Sequence, residues 1–236
     1  MLKLFAITLF VAYGWASNVS EEAYVAAIIQ DDDNRCAGAI VSDQWILTTG
    51  RCAKYLDLAV STITVGTNDL SKLGQIFSSQ EVKEHPNYVD IGSFNYDLAL
   101  IKLNSTIKLG QDAKIIELTG EDIKDMENLA VAGWKRKRDP SPTTKLQLID
   151  VIGVGDNSKC SKLEGQDAKN VFCLVGDKMS DEEKVASGGY QGGVIMGLNH
   201  TLKGIVSGFS RPDDPDSLGL AMRVFPFKKW IMDNIK

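Results

Sequence analysis

Strand-length runs of apolar and β-branched residues recur along this chain, each closed by turn-forming residues, and that rhythm constrains the fold more than any other feature. The runs are Tyr24 to Gln30, Ala39 to Thr48, Ser61 to Val65, Leu98 to Leu103, Leu129 to Trp134, Leu146 to Ile152, Gly193 to Leu198 and Lys203 to Phe209. Such segments suit a pleated, half-buried backbone and point to a mainly antiparallel β architecture. Helical patterning is confined to a short stretch near Asn157 to Leu163 and to the C-terminus from about Pro226, where Phe227, Trp230, Ile231 and Ile235 form an apolar stripe. The strands divide into two groups around residues 105 to 127, so two packed β-barrels in one cooperative unit are expected.

A chain of 236 residues, 44% hydrophobic, is long enough to bury a sizeable core as one large domain or two closely packed halves. Met1-Leu2-Lys3 and the apolar run Leu4 to Ala12, followed by Gly14-Trp15-Ala16, have the order of a secretory signal, and residues 1–16 are read as one. That run is shorter than the roughly 20 residues that span a bilayer. The remaining residues, 17–236, form the mature domain, with halves of about 17–115 and 116–236.

An even count of four cysteines fits an oxidising, extracellular destination, and the count alone allows three pairings. Acceptor triplets for N-glycosylation begin at Asn18, Asn104 and Asn199, conditional on secretion and exposure. The formal charge of −5 argues against a nucleic-acid partner, which a basic surface would attract. One local exception is Lys135-Arg136-Lys137-Arg138, read as a solvated loop or as a docking patch for an anionic partner. Asp31 to Asp33 and Asp181 to Glu183 read as acidic loops. No metal or cofactor is expected.

Several ordered blocks resemble the trypsin family of serine proteases, over nearly the whole mature chain. Cys36-Ala37-Gly38-Ala39-Ile40-Val41-Ser42-Asp43-Gln44-Trp45-Ile46-Leu47-Thr48-Thr49-Gly50-Arg51-Cys52 is similar to the first-barrel block that ordinarily ends Thr-Ala-Ala-His-Cys. His85-Pro86-Asn87-Tyr88 and Asn95 to Leu103, Val131-Ala132-Gly133-Trp134, Val171-Phe172-Cys173, Gly189 to Ile195, Gly204-Ile205-Val206-Ser207 and Arg223 to Ile231 continue the match in order. The resemblance implies an all-β fold of two packed antiparallel six-stranded β-barrels with a C-terminal α-helix. It also implies two disulfides, Cys36 with Cys52 and Cys160 with Cys173.

The same resemblance places Arg51 at the catalytic histidine, Asp97 at the triad aspartate and Gln191 at the nucleophilic serine. A guanidinium stays charged throughout the accessible pH range and cannot act as a general base. A carboxamide offers no hydroxyl for a base to deprotonate. Tyr190 stands at the aspartate that pairs with the new N-terminus in active relatives, and no Ile-Val-Gly-Gly-like segment precedes Cys36. Val185 falls at the base of the specificity pocket, Ser187 replaces a pocket cysteine, and Ser207-Gly208-Phe209 stands where the family has Ser-Trp-Gly. Phe209 is expected to obstruct the pocket entrance. An unpaired buried carboxylate is costly, so Asp97 is expected to pair with the Arg51 guanidinium. The alternative is that backbone donors fix Asp97 while Arg51 swings to solvent.

These replacements point to a secreted, catalytically inactive protease homologue that works by binding. Within the family the chain resembles the mite group 3 proteases and the scabies mite inactivated protease paralogues, which implies host proteins such as complement components as partners. Two other classes are weighed: a residual or repurposed serine-type endopeptidase using Ser187 or Ser207, and a decoy for protease inhibitors or antibodies. The two histidines, His85 and His200, are read as structural.

Overall fold

The computed structural model describes residues 23–30, 35–54, 56–90, 94–134, 144–155, 169–176, 190–209 and 218–236. Strands β1 (Val25–Ile29), β2 (Arg35–Ile40), β3 (Trp45–Thr48), β4 (Thr62–Val65), β5 (Gln75–Glu84) and β6 (Ala99–Leu103) close into a barrel in the order β1-β2-β3-β6-β5-β4. Strands β8 (Glu127–Gly133), β9 (Gln147–Val154), β10 (Val171–Gly176), β11 (Val194–Gly197), β12 (Thr201–Phe209) and β13 (Gly219–Arg223) form the second sheet, closed by the β11–β12 pairing. A two-residue strand, β7 (Glu117–Leu118), adds to this sheet by pairing parallel with β12. All other pairings are antiparallel, so the architecture is two six-stranded β-barrels.

Alternation of side chains explains why strands on the seam are buried on both faces. In β3, Ile46 points into the first barrel with Ile40, Ile63 and Ile101. Its neighbours Trp45 and Leu47 face the seam, joined there by Ala132 and Trp134 of β8 and the following residue, and by Val194 and Met196 of β11. Each fully buried side chain of this kind contributes about 1.5–3 kcal/mol relative to exposure. A third cluster, including Val131, Phe172, Ile195 and Val206, fills the second barrel.

The single run expected from Ala39 to Thr48 is two strands. Val41 N–H and Ser42 N–H both donate to the Trp45 carbonyl, at 3.0 and 3.3 Å, and Gln44 N–H donates to Ser42 Oγ at 3.2 Å. The polar pair Ser42-Asp43 thus makes a hairpin turn inside an apolar stretch. Strand β5 lacked a sequence signal because polar residues fall on both faces: Phe77 and Ser79 are buried, whereas Ile76, Ser78 and Gln80 are exposed. The helix expected near Asn157 to Leu163 lies outside the described residues.

At the C-terminus a 3-10 turn, Phe225–Phe227, leads into helix α2 (Lys228–Asn234). Its apolar stripe docks on the first barrel. The His85 ring lies 5.2 Å from Phe227, 5.0 Å from Trp230 and 5.0 Å from Tyr96, and Lys83 Nζ donates to the Asn234 carbonyl at 3.1 Å. Among the described residues no helix is long and apolar enough to cross a membrane.

Candidate functional site: a rebuilt catalytic cleft

Arg51 sits on a one-turn helix, α1 (Gly50–Lys54), that the sequence did not announce. The Cys36–Cys52 disulfide ties this turn to β2. Asp97 precedes β6 inside a tight turn in which Leu98 N–H donates to the Tyr96 carbonyl at 2.7 Å, with Tyr96 at a positive φ of 58°. The carboxylate is fully buried. Its Oδ1 accepts the backbone N–H of Arg51 at 2.8 Å, and its Oδ2 accepts the hydroxyl of Ser207. Burial pushes its pKa up, against the lowering effect of those two hydrogen bonds and of the Arg51 charge.

The expected Arg51–Asp97 ion pair does not form. The guanidinium instead lies over the Phe94 ring, 4.9 Å from its centroid, and among the described residues Nε is buried without a hydrogen-bond partner. Two donors already occupy Asp97, and one of them belongs to the backbone and is fixed by the start of α1. An aromatic face then offers the cation its remaining contact.

Phe94 is the residue that sequence reasoning missed. It packs against both the seam core and a small second-barrel cluster of Val154, Cys173 and Leu220. A Cβ added to Gly208 would meet the Phe94 ring at 2.5 Å, so the ring rests directly on the β12 backbone. Gly208 stands where the family resemblance expects tryptophan, and its missing side chain makes room for Phe94. Arg51, Phe94 and Gly208 therefore form three layers across the cleft. Phe209, expected to obstruct the pocket entrance, has its side chain outside the described residues. The only signal for Phe94 was an aromatic residue immediately ahead of Asn95-Tyr96-Asp97.

The loop at 190–193 is locked by different chemistry from an ion pair. Tyr190 is buried, and its hydroxyl donates to Gln147 Oε1 at 2.6 Å. Gly193 N–H donates to the Tyr190 carbonyl and Gly192 N–H to the Val206 carbonyl, both at 2.8 Å. Gly192 has a φ of +77°, and a Cβ there would collide with the Ala37 carbonyl, so no other residue fits. Gln191 is half-buried, and its carbonyl accepts Ala37 N–H at 2.9 Å. Ala37 adjoins Cys36 as Arg51 adjoins Cys52, so Gln191 and Arg51 flank one disulfide.

The Ser207 hydroxyl and the His85 imidazole have partners of their own. Ser207 is fully buried with its hydroxyl on Asp97. His85 Nδ1 accepts Asn87 N–H at 3.3 Å, and burial lowers its pKa. His200 occupies a hairpin turn at φ 57°, its N–H on the Gly197 carbonyl at 2.9 Å. Asn104 and Asn199 are both exposed; their Oδ1 atoms accept Ser78 N–H at 3.2 Å and the Thr201 hydroxyl at 2.7 Å. Cys173 is disulfide-bonded, and its expected partner Cys160 lies outside the described residues, as do Asn18, Lys135 to Arg138, Val185 and Ser187. Among the described residues no cluster of side chains could hold a metal ion.

Comparison with known proteins agrees with this architecture. The chain is 28% identical over 214 residues to human kallikrein-7, covering 89% of this chain and 81% of the relative. It is 26% identical over 208 residues to trypsin 5G1 of Aedes aegypti, covering 84% and 74%. Among solved structures, neuropsin, a serine protease expressed in the limbic system of mouse brain, superposes with a TM-score of 0.78 at 22% identity, covering 93% of this chain and 97% of that one. The sequence profile described as trypsin matches residues 15–231, and the chain belongs to the trypsin family.

Proposed function

We propose that this chain is a secreted, catalytically inactive member of the trypsin family that acts by binding other proteins. One observation carries the reading: arginine and glutamine occupy the positions that the family resemblance assigns to base and nucleophile. Loss of either group in this chemistry costs on the order of a millionfold in turnover. The hydroxyl that a repurposed hydrolase would most simply use, that of Ser207, is engaged by Asp97. The signal-like residues 1–16 and the Cys36–Cys52 bridge support an extracellular setting.

The resemblance to the mite group 3 proteases and their inactivated paralogues supports host defence proteins, complement components among them, as the partner class. Lys135 to Arg138 supply the charge that would attract an acidic face of such a partner. Purified protein is expected to take up no active-site-directed phosphonate and to release no chromophore from peptide substrates. Stoichiometric labelling would overturn the reading. Gln191→Ser alone is expected to stay silent, because Arg51 leaves the new hydroxyl without a base.

A further inference from the structure

Most buried or half-buried cations in this protein have found an acceptor. Lys203 pairs with Glu127 at 3.1 Å, Lys83 reaches the Asn234 carbonyl at 3.1 Å, and Arg223 donates through Nε to the Val171 carbonyl at 3.1 Å and through NH1 to Asp122 at 3.0 Å. Next to the cleft, Lys54 pairs with Asp90 at 2.8 Å. Arg51 breaks the pattern. Its backbone is bonded to Asp97, but its guanidinium lies over the face of Phe94, and among the described residues its Nε is buried without a hydrogen-bond partner.

We propose that the Arg51 guanidinium is the anchor of a carboxylate-binding site built into the former catalytic cleft. Stacking uses the flat face of the cation and none of its five N–H groups, which lie in the plane as a fork. A carboxylate presents two oxygens in the same plane and matches that fork with two parallel hydrogen bonds. Asp97 is not the internal partner: its oxygens accept the Arg51 backbone N–H and the Ser207 hydroxyl, and the guanidinium lies over Phe94 instead. Phe94, seated on Gly208, holds the cation in place before any ligand arrives, which lowers the ordering cost of binding.

Charge sets the ligand class. Burial first, and then the nearby carboxylates of Asp97 and Asp90, disfavour ionisation of Tyr88, whose ring packs on Gly50 beside Arg51, while the Arg51 charge acts the other way. That acidic surround opposes a dianion such as phosphate more than a singly charged carboxylate. The ligand is a chain-terminal carboxylate or an Asp or Glu side chain of a partner. This inference rests on the geometry of Arg51 and goes beyond the inactivity reading; its readout needs no turnover, so failure of one leaves the other standing.

The test follows by NMR, in the intact protein, the Arg51 side-chain Nε–Hε resonance and the backbone amide resonances of residues 50–52, the latter also in the variants that lack the arginine. N-acetylglycine represents a chain terminus, the α-amide of N-acetylaspartic acid represents a side chain, and N-acetylglycinamide is the uncharged control. At least one carboxylate is expected to shift these resonances saturably in the millimolar range, and the control is not. Arg51→Lys keeps the charge without the fork and is expected to weaken binding several-fold, and Arg51→Gln to abolish it. Absence of a saturable shift in the unaltered protein overturns the proposal, whatever the variants do. Equal affinity in Arg51→Gln, or tighter binding of inorganic phosphate than of both carboxylates, overturns it as well.

Discussion

The backbone N–H of Arg51, and not its guanidinium, holds Asp97, with N to Oδ1 at 2.8 Å. Any residue but proline at position 51 could make that bond. The anchoring of the carboxylate is therefore independent of the side chain at this position.

Asp97 should be a structural residue with a distinctive pH signature. Asp97→Ala strands two buried donors and is expected to cost about 3 kcal/mol, whereas Asp97→Asn keeps an acceptor and should cost less. Burial raises the carboxyl's pKa in the folded state. Between its ordinary value of 3.8 and the raised folded value, the native protein keeps a proton that the unfolded chain has released, so this group's contribution to stability falls as pH rises. Denaturant titrations across acidic pH should show that slope in the unaltered protein and its loss in Asp97→Asn.

His85 has the opposite sign. Burial lowers its pKa from 6.5, so below that value the unfolded chain takes up a proton that the native state resists. Its contribution is present above pH 6.5 and is lost as pH falls through the folded value. His85→Asn retains an acceptor for Asn87 N–H without titrating. Melting temperatures measured from pH 7.5 to 5 should fall less steeply in that variant.

The Tyr190–Gln147 bond anchors the 190–193 loop, and its 2.6 Å length makes the two residues a coupled pair. Tyr190→Phe and Gln147→Leu are each expected to cost about 1–2 kcal/mol. The double variant should cost clearly less than their sum, since either change alone strands the other partner. Additive losses in chemical denaturation would count against the bond.

Phe94 and Gly208 should likewise fail to add. Gly208→Ala forces a methyl group against the Phe94 ring and is expected to destabilise by about 1–3 kcal/mol. Combined with Phe94→Ala, the glycine substitution should become nearly neutral, because its clash has been removed. Thermal melts of the three variants test this.

Strand positions were legible where side chains pointed into a core, as in Val25–Ile29 and Ala99–Leu103, whose buried residues read as continuous apolar runs. Gln75–Glu84 was not, since polar residues fall on both of its faces. The Arg51–Asp97 ion pair was inferred from the cost of leaving a buried carboxylate unpaired; of the alternative, the backbone donor to Asp97 is present, while the guanidinium lies over Phe94. The sequence could not disclose that two neutral donors had already satisfied the carboxylate.

By itself the chain determined the two-barrel fold, because that depends on local pattern and on the order of motifs; the Cys36–Cys52 bridge was implied by the family resemblance and is present in the structure. Only tertiary structure decided what the side chains of the cleft do now. The contacts of Arg51, Phe94 and Tyr190 join segments that are distant in sequence, Phe94 to Gly208 and Tyr190 to Gln147. Which partner a buried polar or aromatic group finds depends on the space left by all its neighbours at once.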